Sequence, residues 1–214
     1  MHPATKTIRS VLLCALLASS GCFSLSREAT SARHFVLGGS GQTGGAAPTE
    51  ESAGAFVGLR TPRIAEYLAT PFIVVRHGPH RIAFSEFNRW GEDLARGINR
   101  AVAGHMAARA PFPRVETAPW SQETPPEYLI QLDLLRFEGV ATENPEGGDG
   151  EAHVLVTWEI LNQQDGALLA RGTTEVRKHV WTPGDFDGLV GLLDEALVEL
   201  ANDLVLGLER ALAR

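Results

Sequence analysis

The chain is poor in cysteine. It has only two, Cys14 and Cys22, so no disulfide framework staples the sequence beyond them. Cations are also in deficit, with 19 Lys and Arg against 26 Asp and Glu, a formal charge of −7. A nucleic-acid-binding domain needs a basic face, and this balance argues against one. After Ala18 no apolar run approaches the ~20 residues of a membrane-spanning helix. The sequence has no P-loop, no dinucleotide glycine pattern and no zinc spacing. No His stands beside a Ser or Cys nucleophile with an orienting acid. His77 and His80 form the one close His pair, and the Gly-Pro between them reads as a surface turn. The expectation is a non-enzyme with no cofactor and no metal.

What the sequence does have begins at its N-terminus. Lys6 and Arg9 precede an apolar run, Val11–Ala18, which is followed by Ser19, Ser20, Gly21 and Cys22. A charged start, a short apolar stretch and small residues make a secretory signal of residues 1–21. Its removal takes away two cations and leaves the mature chain at −9 from the full chain's −7. Cys14 would go with it, leaving Cys22 as a lone thiol in an oxidising compartment. Ser20-Gly21-Cys22 resembles the end of a bacterial lipobox, with Ser19 where the pattern has leucine. The reading is a lipid-bearing Cys22, a tether over residues 22–32, and a single periplasmic domain over 33–214. Phe23 carries no aspartate-type retention signal, which by resemblance to lipoprotein sorting rules implies the outer membrane.

The mature chain reads as strands interleaved with two helices. His34–Leu37, Ala55–Leu59 and Phe72–Arg76 are strand candidates, with a glycine-rich loop from Gly38 to Gly54 and a helical turn near Ile64–Leu68. His80–Ser85 is the hairpin partner of Phe72–Arg76. Ser85 is a candidate N-cap for a helix whose apolar face holds Trp90, Leu94, Ile98, Ala101, Val102 and Met106. Val115 opens a short strand. Tyr128–Phe137, Ala152–Leu161 and Ala167–Lys178 form an antiparallel meander, with an acidic loop at 141–151 and an Asp165-Gly166 hairpin turn. Phe186–Leu212 carries one long leucine stripe, with Asp185 at its start. This succession of strands and two helices is that of an α+β two-layer sandwich, a mainly antiparallel sheet packed by two amphipathic helices.

Four tryptophans divide by context. Trp90 and Trp158 are expected to anchor the core. Trp120 and Trp181 lie beside Pro or Thr in predicted loops and are candidates for partner or lipid contact.

With these elements placed, the mature chain resembles the PqiC/YmbA-type auxiliary lipoproteins of ABC-type and MCE-type transport systems. His34-Phe35-Val36-Leu37 stands where the family has Tyr-Tyr-Thr-Leu. Tyr67, Leu68, Pro71, Ile73, Val74 and Arg76 match the family's Leu-Pro-x-Tyr-Leu-Asp-Arg-Pro-x-Ile-Val-x-Arg stretch, whose first proline and Asp-Arg pair are replaced here. Arg89-Trp90-Gly91-Glu92-Asp93-Leu94 matches Arg-Trp-x-Glu-x-Leu at the head of a helix. Arg136-Phe137-Glu138, Trp158 and the long C-terminal helix follow in the family's order. The resemblance implies a domain on the outer membrane that faces the periplasm. Its implied partners are an MCE-domain periplasmic protein and inner-membrane transport components, with phospholipid as possible cargo. The implied role is non-catalytic docking or lipid receiving. Tyr67, Leu68 and Arg76 are the matched contact candidates, and Arg89 with Glu92 reads equally as a helix-surface ion pair. A homo-oligomer is left open. The competing class is an envelope assembly lipoprotein that binds lipopolysaccharide-transport or peptidoglycan machinery.

Overall fold

In the computed structural model the described residues are 31–38, 55–109, 114–141 and 149–213. Cys22, most of the tether, most of the glycine-rich loop and residues 142–148 of the acidic loop lie outside them. Five strands precede the first helix: β1 (Arg33–Phe35), β2 (Phe56–Leu59), β3 (Arg63–Ile64), β4 (Phe72–His77) and β5 (Ile82–Trp90). Helix α1 (Leu94–Ala107) follows, then β6 (Arg114–Thr117), β7 (Tyr128–Ala141), β8 (Gly150–Asn162), β9 (Leu168–Trp181) and helix α2 (Phe186–Leu212).

Strand β7 organises the sheet because both of its edges are used. Along one edge β8 runs antiparallel, and β9 then pairs antiparallel with β8, which is the expected meander. The other edge is shared in turn by three short parallel segments. Val57–Leu59 of β2 faces Tyr128–Ile130, Arg63–Ile64 of β3 faces Asp133–Leu134, and Val75–His77 of β4 faces Gly139–Ala141. The 3-10 turn Glu66–Leu68 takes up the slack between β3 and β4. Beyond this row the sheet forks, with β6 beside β2 and the β5–β1 pair beside β4. The result is an α+β fold with a strongly curled sheet. Its long pairs are antiparallel and its short ones mostly parallel.

The sequence expectation placed a helix start at Ser85, and the structure corrects it. Residues 82–90 are strand, and α1 begins at Leu94, capped by Asp93, whose side chain accepts from Arg96 N at 3.0 Å. The reason is a partner distant in sequence. Strand β1 pairs in parallel with the end of β5, matching Arg33 to Asn88, His34 to Arg89 and Phe35 to Trp90. Ser85 does not cap a helix. Its Oγ accepts from Asn88 Nδ2 at 2.8 Å, within a stretch where β5 bulges out of register with β4. Leu94, Ile98, Ala101, Val102 and Met106 are all buried, as the helical spacing predicts.

Helix α2 spans the expected Phe186–Leu212. Asp185 caps it by accepting from Gly188 N at 3.0 Å. Leu189, Leu193, Leu197, Leu200, Leu204 and Leu208 are buried on one stripe, which lies over β8 and β9 while α1 packs against α2 and β6. Trp158 of β8 is clamped between two glycines. A Cβ on Gly207 of α2 would stand 2.8 Å from its ring, and one on Gly172 of β9 would overlap it. Trp90 packs beside Phe137, ring centroids 5.8 Å apart. Both tryptophans are therefore core, though Trp90 reaches it from a strand.

Strand β7 changes parity midway. Ile130, Leu132 and Leu134 are buried on the core side, and the register with β8 then slips between Leu134 and Arg136. Leu135 is the extra residue and stands exposed. After the bulge the core side is taken by Phe137 and Gly139. A Cβ on Gly139 would meet Trp181 and Leu189 of α2 within 3 Å. Arg136 and Glu138 consequently point to the sheet face away from the helices.

Candidate functional site

The bulge places a carboxylate where the curled sheet closes over it. Glu138 is fully buried, a costly position unless the charge is paired. Two guanidiniums pair it. Arg76 Nε of β4 lies 2.5 Å from Glu138 Oε1 and its Nη2 lies 3.4 Å from Oε2. Arg136 Nη1 donates to the same Oε1 at 2.9 Å. Arg76 also donates to the Pro79 carbonyl at 3.2 Å, which ties the β4–β5 turn to the ion pair. The Glu138 hydrogen bond holds the Arg76 pKa above its ordinary value against the opposing effect of burial.

Tyr67, on the 3-10 turn, covers this pair. The Arg76 guanidinium lies over its ring at 5.7 Å, and its hydroxyl donates to the Leu135 carbonyl at 3.1 Å. Burial first, and then the Glu138 charge, push its phenol up to about 12. Tyr67 is thus a neutral hydrogen-bond donor throughout the physiological range.

The polar row continues across the sheet. Glu138 is the cross-strand partner of His153, and His153 of Arg177. His153 Nε2 lies 2.9 Å from Glu175 Oε1. Burial, and then the Arg177 charge, hold the His153 pKa below the ordinary range. Arg177 bridges Glu151 at 2.5 Å and Glu175 at 3.0 Å, and His179 lies 3.2 Å from Glu151. Each charge answers an opposite one, so the row is a polar seam through four strands with no excess of either sign to bind an ion.

The structure brings Tyr67 and Arg76 together and separates the other candidates from them. Leu68 is fully buried and belongs to the core, so it offers nothing to a partner in this conformation. Trp181 is also corrected. It is 1% exposed, its indole donates to the Asp185 carbonyl at 2.7 Å, and its ring fills the space that Gly139 and Gly150 leave open. The loop position suggested exposure, but those two small residues open a slot for it in the sheet. Trp120 is half-buried. It lies with Pro126 across Gly58, where a Cβ would stand 3.1 Å from the indole. Arg89 and Glu92 are not a pair. Arg89 lies over Phe72 at 4.9 Å, and Glu92 bridges Arg100 on α1. Glu138 and His153 were missed as a unit. Glu138 stands just past the expected end of the strand Tyr128–Phe137, and its burial follows from β7 running on to Ala141.

A shallow groove of about 300 Å³ adjoins this region, lined by Leu68, Pro71, Trp90, Glu92 and Leu94 among others. Its lining comes from the Leu68–Pro71 and Trp90–Leu94 stretches together with Ile64.

Residues 35–205 match the family model described as the ABC-type transport auxiliary lipoprotein component. The chain belongs to this family. The match runs from the last residue of β1 to within two turns of the end of α2, and so takes in strands β2 to β9. Among solved structures it is similar to protein XCC0632 from Xanthomonas campestris, with a TM-score of 0.61 and 17% identity over 76% of this chain and 89% of that one. A second crystal structure, of an uncharacterized protein, has a TM-score of 0.57 and 14% identity over 71% and 90% of the two chains. At these identities the likeness is one of fold. No curated protein matches. In this chain Arg76 and Trp90 are occupied in holding the sheet together.

Proposed function

We propose that this family member is an outer-membrane-anchored accessory lipoprotein of an MCE-type system that moves phospholipid between membranes. Its part would be to dock or receive, without catalysis. The carrying observation is the family match over residues 35–205. The Ser20-Gly21-Cys22 sequence supports the anchor, with Cys22 acylated and the domain facing the periplasm. Contact with the MCE-domain protein would use the sheet face away from the helices, where Tyr67, Arg76 and Trp120 lie. Leu68 and Trp181 would act from beneath, Leu68 by setting the 3-10 turn and Trp181 by holding β7 against α2.

Co-purification from membranes, with lipid analysis of the eluate, tests the reading. An MCE-domain protein or bound phospholipid in the eluate is the expected result, and the absence of both would overturn it. A Tyr67→Ala variant should lose the partner while retaining its fold.

A further inference from the structure

Two aromatic hydrophobes are exposed among the described residues, Phe84 at 46% and Phe87 at 48%, and both lie on β5. Val36, at the end of β1 beside that strand, is 55% exposed. The hairpin that carries the two phenylalanines is also basic for so acidic a chain. From His77 to Arg89 it holds two arginines, Arg81 and Arg89, against one acid, Glu86, a formal +1 with His neutral, while the whole chain stands at −7 on the same count. Arg89 lies over the Phe72 ring at 4.9 Å, and that ring is 6.4 Å from Phe84. Aromatic rings flanked by guanidiniums suit a bilayer interface. The rings enter the acyl boundary while the cations stay level with the phosphates.

The chain enters the domain beside this hairpin. The parallel register sets Arg33 opposite Asn88, so the tether joins the domain beside Phe87. Ten residues separate Cys22 from Arg33, a reach of at most roughly 40 Å at full extension. On the Cys22 reading, that reach allows the β5 edge to meet the bilayer.

We infer that the β4–β5 hairpin is a membrane-contact surface. Phe84 and Phe87 insert at the level of anionic phospholipid headgroups and seat the domain on the bilayer that carries its anchor. The inference rests on the Cys22 reading for proximity and on the hairpin for contact. Its test uses the processed protein, extracted from membranes and reconstituted into vesicles of phosphatidylethanolamine and phosphatidylglycerol. An environment-sensitive thiol label is placed at Phe87→Cys, at Phe84→Cys as a second position, and at Gln164→Cys in the β8–β9 turn as a control. Lipids bearing a shallow spin quencher should remove most of the emission at 87 and 84 and little at 164. High salt should weaken that quenching. Equal quenching at all three positions, or a label at 87 and 84 that stays in water, overturns the inference. So does a label that leaves water only when envelope proteins are added, since that assigns the surface to a protein partner. Labelling of Cys22 itself in the unsubstituted protein would show separately that the anchor reading has failed.

Discussion

Replacing Glu138 with glutamine removes a charge that two guanidiniums share. The carboxylate side chain is fully buried, Arg76 is 15% exposed and Arg136 is 32% exposed. Breaking a buried ion pair from one side costs about 3–5 kcal/mol, because the remaining charge stays desolvated. Here water reaches Arg136, and the glutamine carbonyl still accepts from Arg76. Both lower the loss to about 2–4 kcal/mol. For a domain of this size each kcal/mol moves Tm by roughly 2–4 °C, so a drop of about 4–16 °C is expected. Thermal melts and urea titrations would read it, with the midpoint falling and the slope unchanged. Arg63→Ala is the control, since its partner Asp133 is held by a guanidinium that is 68% exposed. Its Tm should scarcely move. An Arg76→Met/Glu138→Met double variant should recover part of what the single variant loses, because a matched apolar pair removes both desolvated charges. If Glu138→Gln melts no lower than Arg63→Ala, the buried seam is not what joins β4 to β7.

Gly207→Ala improves helix propensity by roughly 1 kcal/mol yet should lower Tm, since its Cβ would press on Trp158 at 2.8 Å. A stabilised variant in the same melt would sink the clamp argument. Asp185→Ala should cost about 1 kcal/mol by removing the cap of α2, visible as a lower urea midpoint. A midpoint at the wild-type value would show that the cap bond contributes nothing. His105 and His153 both have pKa values lowered first by burial, so the folded state binds fewer protons than the unfolded one. Their contribution is complete above about 6.5, the unfolded value. It is lost as pH falls from there through the folded pKa values. Melts between neutral and mildly acidic pH should show this decline, and the His105→Gln/His153→Gln variant should flatten it. An undiminished slope would assign the decline to other groups.

The helix stripe of α2, its start at Asp185 and the β7–β9 meander were legible because each is a local pattern that tertiary packing reinforces. The start of α1 was not. Ser85 and Glu86 carry a helix-start signal, but what decides their state is β1, more than 50 residues upstream by the Arg33–Asn88 register. The alternation that begins at Tyr128 holds as far as Leu134, with Ile130, Leu132 and Leu134 buried. One inserted residue, Leu135, then reverses which side chains face the core, and a bulge leaves no mark on composition. That reversal is what delivers Glu138 to Arg76, so the centre of the site depended on a feature invisible to periodicity.

The matched residues also show why a shared motif does not by itself name a contact. Trp90 buttresses Phe137, Leu68 is fully buried and Arg76 neutralises Glu138, so these matched positions are held by the sheet's own needs. Tyr67 differs. It is bound to the seam at its ring and hydroxyl, but it remains half-exposed on a turn between two short strands. A partner that pulled on this turn would act directly on the cover of a buried charge, and hence on the junction of β4 with β7. Docking at Tyr67 and the stability of that junction are therefore linked through Glu138. A partner that binds wild type and Glu138→Gln with equal affinity would show that the turn is docked without being moved.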